Sequence, residues 1–436
     1  KDIVRMSVAR ACLLEPLQEI ELSVNKTALV VGGGIAGMTC ALSIADQGHE
    51  VYLVEKDPDL GGMTRRLYYT LEGLDVQIYL RGLVRKVYQH PLIHVYTDAI
   101  ITEATGYVGN FVTKVKSDRG VTDIKHGAAV IATGADEYKP TEYFYGENDR
   151  VMTHLELEEQ IAKGEEGLIN SKTLVMIQCV GLCCSQAIKN ALKLKEINPK
   201  MDIYILYRDM MTYGFSEDYY REASEKDVNF IRYEPDDKPQ VEAVEEEGRP
   251  VLRVTVSDPI LGQKLSIDAD YLALAAAVIP SSGSKKIAEL FKVPLGPDGF
   301  FKEAHVKLRP VDFATDGVFL CGTAHYPKHI PEAINQAYGA AGRAAVLLSH
   351  DIVAVSGSVC EVDKKTCIGC GACIEACEYG AIEFNDTRQG KKATVNPVLC
   401  KGCGLCNALC PTGAISLKHF TDEQVFSEID AAVVGL

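Results

Sequence analysis

No tract of this chain concentrates lysine and arginine, and no aromatic side chains interleave with basic ones. With a formal net charge of −15 the chain lacks the positive footprint that binding a nucleic acid requires, so no nucleic-acid partner is expected. Nor does any stretch approach the roughly 18 uninterrupted apolar residues of a membrane span. No secretory signal is expected, and the sequence opens without an initiator methionine. The opening KDIVRMSVARACLLEPL reads as the inside of a helix, and the sequence is expected to be the remainder of a longer protein. Its 436 residues suffice for about two to four domains with their own hydrophobic cores.

Cysteine, by contrast, is plentiful. Of fifteen in the chain, eight sit in the last quarter at metal-ligand spacing. That points to a reducing cytoplasm and iron–sulfur chemistry rather than to the disulfides of a secreted protein. Residues 367–377 read CIGCGACIEAC and residues 400–410 read CKGCGLCNALC. Each run has the bacterial ferredoxin spacing, in which the fourth cysteine ligates the other cluster. One [4Fe–4S] cluster is therefore expected on Cys367, Cys370, Cys373 and Cys410, and a second on Cys400, Cys403, Cys406 and Cys377. Glycine-rich turns let backbone N–H groups face the sulfurs. Zinc is the alternative, but zinc motifs typically space their ligands as separated pairs, whereas here four cysteines run on together twice.

Near the start, KTALVVGGGIAG (26–37) is an apolar strand leading into G-x-G-x-x-G at Gly32, Gly34 and Gly37. A helical stretch follows, then a second strand ending at Glu55. The glycines allow a tight turn, approach of the backbone to a pyrophosphate and close helix packing, and the acid can bind a ribose. Ile35, Ala36 and Lys56 belong to the same expected site, and Gly61, Gly62 and Met63 continue it. AAVIATGA (128–135), with Thr133 and Gly134, resembles the second flavoprotein signature. DGVFLCGTAHYPKHIPEAINQAYGAAGRAA (316–345), with Gly322, Thr323 and Ile330, resembles the third. The pattern favours FAD over NAD. It departs at Thr323, where related flavoproteins of the thioredoxin reductase type carry an Asp against the ribityl chain. A helix starting near Pro331 would turn its positive end toward the charge a reduced flavin gathers. Lys328, between the Gly322 turn and that helix, is the candidate catalytic residue, an ammonium placed to donate to the flavin ring. The alternative is a solvent-facing lysine at a helix start.

Residues 171–209 repeat the strand–turn–helix–strand order, but the turn reads Cys179-Val180-Gly181-Leu182-Cys183-Cys184. One glycine remains of the fingerprint, so a pyrophosphate could not approach in the usual way. The expectation is a Rossmann-type domain that has lost its nucleotide.

Taken together, IVRMSVARACLLEPL, GGGIAG, IQCVG…CCSQAIKNALK, YILYRDMMTYGF, GTAHYPKHIPEAINQA and the double cysteine run resemble the A-subunit family of heterodisulfide reductase over essentially the whole chain. In that family a longer loop with a further cysteine separates the parts aligned with Gly181 and Leu182, and those cysteines are associated with another iron–sulfur cluster. Here Cys179, Cys183 and Cys184 either belong to such a site or are buried thiols. No inserted ferredoxin module interrupts the flavin domain, and LEGLDVQIYL (71–80) carries no cysteine motif.

The expected fold is α/β. A thioredoxin-reductase-like pair of Rossmann-type domains is followed by a C-terminal two-cluster ferredoxin domain. The boundaries expected are an N-terminal helix packing across domains over 1–24, a FAD domain over 25–145 and 296–356, and the nucleotide-free domain over 146–295. The ferredoxin domain is expected at 357–418 and an acidic helical tail at 419–436. The resemblance implies an oxidoreductase subunit in which FAD exchanges electron pairs, with bifurcation an open question, and two clusters relay single electrons. It implies partners of the B and C type, an electron-input module (a hydrogenase, formate dehydrogenase or NADH-oxidising unit) and a homodimer within a larger complex. A self-contained NAD(P)H oxidoreductase of the glutamate-synthase small-subunit type is the alternative, together with a scaffold whose flavin is only structural.

Overall fold

The computed structural model describes residues 1–17, 19–178, 182–246, 248–355, 357–387 and 390–433. Its first unit is a five-stranded parallel sheet in the order Val318–Leu320, Ala128–Ile131, Ala28–Val31, Val51–Val54, Ile93–Tyr96. Two of its strands, Ala28–Val31 and Ala128–Ile131, are uninterrupted runs of Ala, Val, Ile and Leu buried throughout, as a parallel sheet covered on both faces requires. One face is closed by the helices Ile35–Ala45 and Ile330–Ser349. Their alanine-rich sides, including Ala41, Ala337, Ala340 and Ala344, meet in the core. The other face is covered by an antiparallel sheet of Ile100–Tyr107, Asn110–Ser117 and Gly120–His126 and by the helix Ser284–Phe291.

The second unit repeats this plan. Its parallel sheet runs Val151–Thr153, Tyr271–Leu274, Thr173–Ile177, Asp202–Tyr207, Val228–Arg232, again with a three-stranded antiparallel layer, Gln240–Glu246, Arg249–Asp258 and Gln263–Ala269. Its first helix, His154–Lys163, has a reciprocal cap. Thr153 Oγ1 accepts from the Glu156 N–H at 3.3 Å and Glu156 Oε2 from the Thr153 N–H at 2.8 Å, and Gly164 ends the helix at φ +70°. The chain leaves the first unit along Ala135–Glu137 and returns along Val278–Pro280, and these strands pair antiparallel.

The N-terminal helix is shorter than the sequence suggests. It spans Asp2–Ala11, and Ile20–Ser23 is instead a strand paired with Ile352–Val355. Pro16 accounts for the difference, because it has no N–H to donate and disfavours helical geometry at Glu15. The helix buries none of its residues. It lies against the C-terminal helix Asp422–Val433, where Arg5 Nε donates to the Ala431 carbonyl at 2.7 Å and Arg10 stacks 4.0 Å over Phe420.

Between these ends sits a small unit of two strand pairs, Cys360–Val362 with Ile415–Leu417 and Ile382–Thr387 with Gly390–Val395. Short helices at Ala372–Glu375 and Leu405–Leu409 complete it. Its core mixes cysteines with small and branched apolar residues such as Ile382, Ala414, Ile415 and Leu417. The unit is tied to the first by an ion pair of Lys401 with Asp316 and by Lys292 Nζ, which donates to the Tyr379 carbonyl at 3.2 Å.

Candidate functional site

The strand Ala28–Val31 runs into Gly32 at φ +111°, where a Cβ would lie 2.2 Å from the Ala132 carbonyl oxygen; one on Gly37 would lie 1.9 Å from the Gly32 oxygen. Only glycine lets loop, helix and the 128–135 segment close this tightly. Gly34 behaves differently. A Cβ there would meet nothing within 4 Å, so the loop is open on its outer side, ahead of a helix whose N-terminus has no side-chain cap. Free N–H groups at such an end suit a phosphate.

The expected residues gather around this opening. Gly61 N–H donates to the Gly33 carbonyl at 2.8 Å, which ties the loop of Gly61, Gly62 and Met63 to the fingerprint. Glu55 is 6% exposed; its carboxylate accepts from the Gly33 N–H at 2.5 Å and from the Asp57 N–H at 2.9 Å. Lys56, one position on, points to solvent. Gly322, at φ +75°, packs its turn on the first turn of the helix, since a Cβ there would come within 2.7 Å of Ala36 Cβ. Thr133, Gly134 and Thr323 close the same crevice, a Cβ on Gly134 lying 3.8 Å from Thr323 Oγ1. Thr133 Oγ1 is buried with no hydrogen-bond partner among the described residues. An open loop face and an unsatisfied hydroxyl, both at the carboxyl ends of the strands, fit a dinucleotide flavin. Ile330 is half-buried against the core at the start of its helix.

Lys328 is 7% exposed, which removes the solvent-facing alternative. Its Nζ donates to the Gly322 carbonyl at 2.6 Å and to Gln336 Oε1 at 2.8 Å and lies 3.7 Å above the Tyr326 ring. Burial lowers its pKa to about 8. The chain of contacts continues outward. Gln336 Nε2 donates to His325 Nδ1 at 2.7 Å, and His325 Nε2 meets Glu303 Oε2 at 2.8 Å. The hydrogen bond from His325 lowers the pKa of Glu303, and burial lowers that of His325. Sequence reasoning missed Gln336, His325 and Glu303. Gln336 carries a local signal, two turns into the helix on the side of Lys328; Glu303 carries none.

In the cysteine-rich unit, Cys367, Cys370, Cys373 and Cys410 line one pocket, with Ala393 and Pro411 among its walls. Three thiols of the first run thus meet the last thiol of the second. Ala414 N–H points at Cys410 Sγ (3.2 Å) and Ala381 N–H at Cys377 Sγ (3.3 Å). The pKa of the Tyr379 hydroxyl is raised first by burial and then by the nearby Cys403, Glu378, Cys377 and Asp316. Cys400 and Cys406 share a neighbour that the run spacing did not reveal, Cys360. The thiols of this unit form no disulfides; four of them surround one pocket, and among the described residues no three His, Cys, Asp or Glu side chains could hold a single ion. Backbone donors and thiols grouped in this way fit iron–sulfur clusters.

The cysteine turn of the second unit is described only in part. Cys179, Val180 and Gly181 lie outside the described residues, and the helix begins at Leu182. Cys184 is fully buried, its Sγ 3.6 Å from the Asp209 carbonyl oxygen and 3.5 Å from the Met211 N–H. Cys183 is half-buried.

Residues 26–337 match the pyridine nucleotide-disulphide oxidoreductase family, and residues 366–414 match the 4Fe-4S dicluster domain. An iron-sulfur A-type component of CoB--CoM heterodisulfide reductase (the second of that name) from Methanopyrus kandleri is 35% identical over 99% of this chain and 81% of that protein. The chain belongs to the A-subunit family of heterodisulfide reductase. The A-type component of the H(2):CoB-CoM heterodisulfide,ferredoxin reductase of Methanothermobacter thermautotrophicus is 34% identical over 99% of this chain and 80% of its own. Both alignments are longer than the 436-residue chain (536 and 539 positions), so these relatives carry segments that this heterodisulfide-reductase-type chain lacks. Among solved structures, thioredoxin reductase of Lactococcus lactis covers 74% of the chain and 99% of its own, with a TM-score of 0.54 at 17% identity, which shows the fold. This member of the heterodisulfide reductase A-subunit family is therefore an FAD-dependent oxidoreductase with a thioredoxin-reductase-like core and a C-terminal ferredoxin-type domain. No helix among the described residues is long and apolar enough to cross a membrane.

Proposed function

We propose that the chain is the flavin- and cluster-bearing subunit of a heterodisulfide-reductase-type complex, joining a two-electron carrier to one-electron carriers. The observation that carries this reading is that the flavin crevice and the dicluster unit occur in one chain, pinned together by Lys401 on Asp316 and Lys292 on Tyr379. FAD would supply exchange of electron pairs and the two [4Fe–4S] clusters exchange of single electrons. The chain's own residues do the rest. Gly34 and the helix behind it leave the backbone open to a pyrophosphate, Glu55 fixes the loop, and Thr133 offers a hydroxyl. Lys328 holds a positive charge at the Gly322 turn, where it favours an anionic reduced ring. Cys367, Cys370, Cys373 and Cys410 would hold one cluster, and Cys400, Cys403, Cys406 and Cys377 the other.

The partners in this reading are subunits of the B and C type and an electron-input module, with the chain a homodimer inside the complex. The name of the M. thermautotrophicus relative pairs one donor, H2, with two acceptors, a heterodisulfide and ferredoxin, and that pairing supports bifurcation here. Cysteines at cluster-ligand spacing support a reducing, cytoplasmic setting. The test is anaerobic titration of the purified complex with NADH, NADPH, reduced ferredoxin and formate, beside the chain alone. The complex should be reduced by its physiological donor, and the isolated chain by neither nicotinamide. Rapid bleaching of the isolated chain by NADH or NADPH would favour the self-contained reductase.

A further inference from the structure

Beyond the eight cysteines of the two runs, the ferredoxin unit buries another. Cys360 is 3% exposed on the strand Cys360–Val362. Its backbone N–H lies 3.4 Å from Cys400 Sγ, and its own Sγ lies 3.5 Å from Cys406 Sγ. It therefore touches two of the thiols assigned to the second cluster.

The unit repeats itself at an offset of 33 positions, the separation of Cys367 from Cys400 and of Cys377 from Cys410. The backbone obeys the repeat: φ is +72° at Gly369 and +62° at Gly402, +88° at Gly371 and +77° at Gly404. A Cβ on Gly369 would strike the Lys391 carbonyl oxygen at 2.3 Å, and one on Gly402 the Ser358 oxygen at 2.5 Å, and Lys391 and Ser358 are equivalent at the same offset. By this rule the counterpart of Cys360 is Ala393, which lines the pocket of Cys367, Cys370, Cys373 and Cys410. One cluster site is walled by a methyl group and the other by a thiol.

We propose that Cys360 is a positioning residue that donates a hydrogen bond to a ligand sulfur of the second cluster and so helps to separate the potentials of the two clusters. The inference rests on the reading that the runs hold [4Fe–4S] clusters. Without iron, either thiol can donate to the other across the 3.5 Å contact. A Cys406 sulfur bound to iron as a thiolate can only accept, so across the same contact the Cys360 thiol is the donor. Hydrogen bonds to cluster sulfurs stabilise the more negative, reduced form and raise the reduction potential. Lys401, the counterpart of Ile368, also lies near this cluster but is paired with Asp316, so the test changes Cys360 alone.

The full-length chain, reconstituted with iron and sulfide, is titrated anaerobically and followed by EPR, with iron measured first. In Cys360→Ala, full iron should remain while one potential falls. The reduced-to-oxidised ratio of that cluster at fixed ambient potential should drop about three- to tenfold, tenfold being about 59 mV for one electron. Cys360→Ser keeps a donor and should restore most of the shift. Ala393→Cys should raise the other potential. Unchanged potentials, or equal shifts of both, in an iron-replete Cys360→Ala protein would overturn the proposal. Loss of about half the iron in both Cys360 variants would overturn it too, making Cys360 a ligand. Zinc in the wild-type protein would instead sink the cluster reading beneath it.

Discussion

Glu158 Oε2 lies 2.8 Å from Lys189 Nζ, with the Glu158 side chain fully enclosed, and the pair grips a segment of the other Rossmann-type unit. Glu158 Oε1 accepts from the Tyr68 N–H at 2.6 Å, and Lys189 donates to the Tyr69 carbonyl at 2.8 Å. Removing one partner of a buried pair leaves the other charge uncompensated and costs about 3–5 kcal/mol. Glu158→Gln should lower stability by that order in denaturant unfolding, and adding Lys189→Met should recover part of it. If the single variant unfolds like the wild type, the clasp is not holding the units.

Acid stability should report on His126. Its Nε2 meets Thr113 Oγ1 at 2.8 Å and its Nδ1 the Ala128 carbonyl oxygen at 3.0 Å, and burial pushes its pKa from 6.5 to about 4, so the ring is neutral near pH 7. The unfolded chain binds this proton near pH 6.5 and the folded chain does not. Stability from this residue is therefore complete above about pH 6.5 and is lost as pH falls toward 4, by about 3 kcal/mol. His126→Gln should flatten the melting temperature against pH over that window. An identical slope would show that His126 titrates normally.

Cysteine replacement separates the two cluster sites. Cys370→Ala and Cys403→Ala should each remove about four of about eight irons, at opposite sites, as anaerobic iron and sulfide analysis would show. Loss of all metal from both variants would mean that the sites do not assemble independently.

Lys328→Met removes a charge while nearly keeping length. Flavin content should hold, while the two-electron potential falls by about 30–60 mV, the worth of one charge-assisted hydrogen bond. Because the ammonium gives up its proton near pH 8, the wild-type potential should bend with pH there and the variant's should not. An unchanged potential and an unchanged bend would remove Lys328 from the flavin site.

What sequence could reveal here was local. The two cysteine runs carry their own turn geometry, and Gly32, Gly34 and Gly37 write a strand–loop–helix in a dozen residues. Cys360 and Glu303 were not legible, because strand pairing and loop packing within each unit, which no local spacing encodes, bring them to Cys406 and His325. The N-terminal helix was overextended for the opposite reason. Its apolar periodicity continues past Ala11, and the backbone limits at Pro16 overrule it.

The paired crossing at Glu137 and Val278 makes the second Rossmann-type unit a lodger with adjoining entrance and exit. The helix that starts at Leu182 nevertheless reaches back across that narrow doorway, because Lys189 on it holds the Tyr69 carbonyl a few residues beyond the Gly61–Met63 loop. A movement of that helix would be felt at the edge of the flavin crevice.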